Sequence, residues 1–167
     1  MKNNASFLIV ILGLFTSTSL CAANCAYIDN KVVFSDIYAR LVNRGPNMLA
    51  VYGTVENDDS VPHILTGVSS AGAKNSTFMV YRQDGGAGPI TAHPIPSITI
   101  PQEGGTYAWV MGGNHITLSG YDAKTAGKKL QFGTSFDSNQ NVDLTFTFAD
   151  GCQQIIQKVP IKDRMQD

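Results

Sequence analysis

The chain predicts an all-β fold, a two-sheet antiparallel sandwich, on three observations. Apolar residues alternate with polar ones in several short runs. Glycine-rich or polar turns separate those runs. Almost nothing in the 167 residues has the spacing of an amphipathic helix. Val32-Val33-Phe34 and Ile37 to Leu41 open the sheets. Arg44-Gly45-Pro46-Asn47 reads as a turn, and Met48 to Val55 as the next strand. The polar turn Glu56 to Ser60 ends it. Ile64 to Val68 and Phe78 to Tyr81 follow as short strands, the second closed by Asp84-Gly85-Gly86-Ala87-Gly88-Pro89. Ile98 and Ile100 alternate with polar neighbours. So do Leu144, Phe146 and Phe148, separated by Thr145 and Thr147, which is the signal of a half-buried strand. Gly104-Gly105, Gly112-Gly113 and Asp150-Gly151 punctuate the later runs. Tyr121 to Lys129 is the one candidate helical turn, and the polar tail Lys162 to Asp167 reads as frayed.

Residues 1–23 read as a signal peptide. Lys2 is the only charge, the apolar core Phe7 to Phe15 is too short to span a bilayer, and a small-x-small site ends at Ala23. Cleavage there leaves residues 24–167 as a single domain. A lipoprotein reading acylates Cys21 instead, but Leu20 occupies a position that normally takes a small residue. Cleavage after Ala23 also removes one of the three cysteines. The remaining two, Cys25 and Cys152, are expected to pair, as two cysteines in an exported protein most often do. The alternative, a cysteine ligand or redox pair, lacks Cys-x-x-Cys spacing. Cleavage removes one basic side chain, leaving eleven against thirteen acidic ones, a net charge of about −2. A nearly neutral chain with no basic cluster argues against nucleic acid or an acidic membrane surface as partner.

The chemistry-bearing stretch runs from Met79 to Thr117. It holds Met79, His93 and His115, and thus two of the three histidines. Imidazole suits copper and zinc, and a thioether selects for Cu(I). Adjacent strands would bring these residues to one end of a sheet. Each also has a structural reading: Met79 suits core filling among Phe78, Val80 and Tyr81. His93 suits a solvated turn before Pro94. Met111, four residues before His115 across the Gly-Gly turn, can approach the site. His63 belongs to no motif and reads as a surface histidine.

These marks together resemble the PCuAC-type periplasmic copper chaperones. The resemblance runs from about Val33 to Val159. It is carried by Ala39-Arg40, Tyr52-Gly53-Thr54-Val55-Glu56-Asn57, Leu65 to Ser70, Asp84-Gly85-Gly86, Glu103-Gly104-Gly105, Gly112-Gly113-Asn114-His115 and Leu144 to Phe148. It implies a cupredoxin-like Greek-key β-sandwich that binds copper. It also implies a periplasmic partner that donates or receives the metal, as in cytochrome oxidase assembly. The family's copper motif is a His, ten residues, a Met, twenty-one residues, then His-x-Met. Here His115 matches in identity. Met79 stands at the first His and His93 at the first Met, while Thr117 replaces the final Met. Tyr81 stands where many members carry an accessory Met.

The resemblance therefore implies a copper-binding protein using Met79, His93 and His115, with Cu(I) favoured and Cu(II) open. It would pass copper to a partner by ligand exchange. The alternative is a metal-free interaction module presenting the loop Gln83 to Pro96 and the turn Gly112 to Asn114, with Tyr107 and Trp109 as anchors if exposed, although both read better as residues buried on their strand. Enzyme activity is not expected. No Gly-x-Ser-x-Gly elbow, His-Glu-x-x-His motif or phosphate loop is present.

Overall fold

A computed structural model describes residues 25–42, 47–86, 88–121 and 141–162. The predicted signal peptide, most of the Tyr121 to Lys129 segment and the tail beyond residue 162 lie outside them. Among the described residues a short helix, α1 (Ala26–Lys31), precedes ten strands. They are β1 (Val32–Leu41), β2 (Leu49–Asn57), β3 (His63–Ser69), β4 (Asn75–Gln83), β5 (Ile90–Ile95), β6 (Ile98–Ile100), β7 (Gly105–Trp109), β8 (His115–Ser119), β9 (Asn141–Phe148) and β10 (Gln153–Lys162).

One sheet runs β5-β4-β8-β2-β1. In it β8 pairs with the first half of β2 and β7 with the second. The other runs β10-β9-β3-β6. The expected antiparallel sandwich holds with one addition. The two sheets join through a short parallel pairing, Ala39 with Ile161 and Arg40 with Lys162. Phe34 on β1 and Trp109 on β7 meet Phe146 on β9 across the interior, with ring centroids 4.3 and 5.9 Å apart. Leu49, Val51, Ile116, Leu144 and Phe148 fill the space around them. Trp109 is buried in the core, as its strand position predicts, and Tyr107 is half-buried.

The two runs read at the start of the mature chain are one strand broken by a bulge. Asp36 has φ 53°, and the β1–β2 register shifts between Ser35 and Tyr38. The cystine Cys25–Cys152 ties the segment before α1 to the β9–β10 turn, as the cysteine count predicts. The reading of residues 83–96 as a loop is corrected. Residues 90–95 form β5, paired along β4. Pro94 argued against a strand there, but β5 is an edge strand, where a missing N–H costs the ladder nothing. His63 is also more than a surface residue. Its ring is largely covered, and its Nε2 lies 3.0 Å from Asp59 Oδ2.

Candidate metal centre

The β7–β8 turn builds the first half of the site. Val110 N donates to Asn114 O, Gly113 N donates to Val110 O, and Gly112 takes φ +75°. Asn114 then bolts the turn to its neighbours. Its Oδ1 accepts from Tyr81 N at 3.1 Å, and its Nδ2 donates to the Tyr107 hydroxyl at 3.1 Å. The regular β4–β8 ladder ends at Met79 and His115, so Asn114 takes over the next β4 amide. His115 follows as the first residue of β8. Its Nδ1 lies 3.0 Å from Gly113 O. A carbonyl only accepts, so Nδ1 carries the proton and Nε2 of the neutral ring keeps a lone pair. Metal-binding imidazoles are oriented by such a bond.

Register supplies the second half. Met79 lies directly opposite His115, and Thr77 opposite Thr117. Residues directly opposite share a face of the sheet. The intervening pair, Phe78 with Ile116, points into the core and is buried. Met79 and His115 therefore stand side by side on the outer face of the sheet. Thr117, where the resemblance expects a Met, shares that face and offers a hydroxyl.

His93 does not join them. It pairs with Val80, one step out of register with Met79, so its side chain leaves the opposite face of β5. Its Nε2 sits 2.9 Å from Asp84 Oδ1 and 2.8 Å from Thr91 Oγ1, while the Thr91 hydroxyl donates to Asp84 Oδ2 at 2.6 Å. Asp84 is held below the usual carboxylate range, first by the Thr91 hydroxyl and then by His93. The expected convergence of Met79, His93 and His115 is thus corrected to a pair. The position beside Tyr81 on the shared face belongs to Ala92. Met111 is exposed on the β7–β8 turn, and its sulfur accepts from Arg40 Nη1 at 3.3 Å.

Met79 and His115 line a groove of about 640 Å³ with Met48, Tyr52, Tyr81 and Ile90. Among the described residues no Asp, Glu, Lys or Arg lines it. The His115 ring packs between Tyr81 and Tyr52, at centroid distances of 5.7 and 6.3 Å. Burial pushes the Tyr52 phenol up, and Tyr38 and Tyr81 add to the shift. It stays protonated at neutral pH and adds no anionic oxygen. The donor set is therefore neutral: a thioether and an imidazole, which fits a soft monovalent ion better than a hard divalent one. Among the described residues no three His, Cys, Asp or Glu side chains form a metal cluster. Sequence reasoning placed Tyr81 at an accessory-ligand position but missed Met48 and Tyr52 as walls of this groove. Their only signal is period-two placement on strands whose pairing is not written in the sequence.

Comparison with known proteins follows from this architecture. No curated protein sequence matches the chain. The solved structure titled "Copper-bound PCuAC domain from PmoF2" superposes with a TM-score of 0.53 at 17% identity, covering 75% of this chain and 88% of that one. "Apo PmoF2 PCuAC domain" gives 0.58 at 17% identity, covering 81% and 93%. "Apo PCuAC domain from PmoF1" gives 0.51 at 14% identity, covering 80% and 94%. At these identities the likeness establishes the fold. Residues 32–161 match the family described as "Putative lipoprotein LpqE-like", and the chain belongs to that LpqE-like family.

Proposed function

We propose that this protein binds copper outside the cytoplasm and passes it to a partner by ligand exchange. One observation carries the reading. Met79 and His115 form a cross-strand pair in a groove whose described lining residues carry no charged side chain, with the imidazole Nε2 lone pair free of the bond that fixes the ring. Two protein donors suit a soft ion and leave room for donors from another protein. Cu(I) is the preferred cargo, because no described residue of the groove supplies the negative charge that would favour Cu(II). The function is binding and handover, not catalysis.

The same groove supports a second reading, a metal-free contact surface, because Ile90 at its mouth is 67% exposed. Anaerobic Cu(I) titration against a chromogenic chelator separates the two. The copper reading expects one retained equivalent that leaves faster as the concentration of a copper acceptor rises. Retention equal to that of an unrelated β-sandwich would support the contact surface instead.

The cystine fits an extracytoplasmic location, and we place the protein in the periplasm. Cys25 is spent in the bridge. Of the three cysteines, Cys21 is therefore the thiol left for a lipid. The small-x-small site ending at Ala23 favours soluble export over acylation. Intact mass of the exported protein decides: a start at Asn24 supports the soluble form, and a diacylglycerol adduct on Cys21 contradicts it.

A further inference from the structure

We infer that Met111 is a third copper donor for this site and that Arg40 holds its sulfur in reserve. The inference rests on the copper reading above. Met111 is 53% exposed, yet its Sδ accepts a hydrogen bond from Arg40, which is 8% exposed. Close packing does not impose that contact on a half-exposed side chain with three free torsions. The turn ties Met111 to the metal pair. Gly112, the next residue, lines the groove, and the Gly113 carbonyl fixes the His115 ring. No atom lies within 4 Å of where a Cβ on Gly112 would sit, so the turn has space around it.

Arg40 is linked to the same imidazole through aromatic rings. Its guanidinium lies 5.8 Å from the Tyr38 ring centre, Tyr38 packs on Tyr52, and Tyr52 packs on His115. The chemistry sets the order of preference. A thioether is a weak acceptor for an N–H donor but a good ligand for Cu(I). As copper arrives, the N–H···S bond breaks and a Cu–S bond forms, with no change of oxidation state. As copper leaves, the sulfur returns to Arg40. Arg40 is thus a positioning residue that lowers the cost of release.

Arg40 also opposes a nearby cation by its charge alone, so the test must separate the two effects. Anaerobic Cu(I) competition is run on the wild type, Arg40→Leu, Met111→Leu and the double variant. Met111→Leu is expected to weaken retention about tenfold or more, as loss of a ligand costs at least what loss of an outer-shell partner does. Arg40→Leu is expected to strengthen it about two- to tenfold, the worth of one released hydrogen bond. That gain should vanish in the double variant. An equal gain from Arg40→Leu in the Met111→Leu background would overturn the inference, because charge alone would explain it. So would unchanged retention in Met111→Leu. A wild type that holds no copper would instead overturn the reading on which the inference rests. A second measurement does not depend on the Arg40 variant folding. The Met111 methyl resonance should shift when one equivalent of Ag(I) is added to the wild type, and a stationary resonance contradicts the proposal.

Discussion

On the proposed copper reading, His115 owes its fitness as a ligand to one hydrogen bond. With Nδ1 bound to the Gly113 carbonyl, the ring presents a lone pair at Nε2 and cannot swing away without breaking that bond. On the same reading, Thr117 is the residue that would keep the site weak. It shares a face with His115 and Met79, but a neutral hydroxyl is a poor partner for a soft ion. Thr117→Met is therefore expected to tighten Cu(I) retention by about tenfold or more, on the scale of a single ligand-set change. A chelator competition that shows no gain contradicts the placement of residue 117 on the metal-facing side. His93 belongs to a different cluster. Its neighbour Asp84 has a lowered folded pKa, so the native contacts favour the ionised carboxylate. Their contribution to stability is full above the unfolded value, about 3.9, and is lost as pH falls through the lower folded value. Thr91→Val removes the largest cause and should move the Asp84 titration, followed by NMR, upward toward the ordinary range. An unmoved midpoint would sink that assignment.

At the scale of elements, pairing decides the site. The period-two runs at β9 and β6 are legible because alternate residues enter the core. What the sequence does not state is which residue of β5 faces which residue of β4. A one-residue slip moves a side chain to the other face, and His93 sits one step off the Met79 row. Counting twenty-one residues back from His115 finds His93, but it counts through β6, β7 and the turns around them, whose lengths are free to vary. β5 itself was hidden by Pro94, tolerated only because the strand is an edge. β10 was hidden by its mixed polarity, with buried positions only at Val159 and Ile161 after the bulge. The bulge on β1 has a partner that the sequence does show, in Gly53. Gly53 has φ +142°, and a Cβ there would lie 2.9 Å from Ile37 Cα and 3.0 Å from the Ser35 carbonyl oxygen, besides clashing with the Ile37 side chain. Gly53→Ala is expected to cost about 1–3 kcal/mol through strain and overpacking. Urea unfolding checks it, and a midpoint within error of the wild type would contradict the close approach.

At the scale of the whole molecule, the sandwich is closed twice, by the β1–β10 parallel pairing and by the cystine. Cys25 and Cys152 are 127 residues apart in sequence. In the chain-entropy treatment a loop of that length stabilises the fold by about 5 kcal/mol relative to the open chain. Paired Cys25→Ser and Cys152→Ser substitutions should lower the urea midpoint accordingly. They should leave copper retention of the folded protein unchanged, since neither cysteine lines the groove. A midpoint unaffected by loss of the bridge would contradict this account of the N-terminal tether. The fold class and the bridge were legible in the sequence because composition, alternation and cysteine arithmetic are local or additive signals. The identity of the groove was not, because Met48, Tyr52 and Tyr81 meet only when three strands are laid side by side.

The central claim is that Met79 and His115, and not His93, hold the copper. The most direct test is one anaerobic Cu(I) competition comparing His115→Ala with His93→Ala. The account predicts that His115→Ala loses retention by at least about ten- to hundredfold, while His93→Ala binds as the wild type does. Equal loss in both variants, or loss only in His93→Ala, would contradict it.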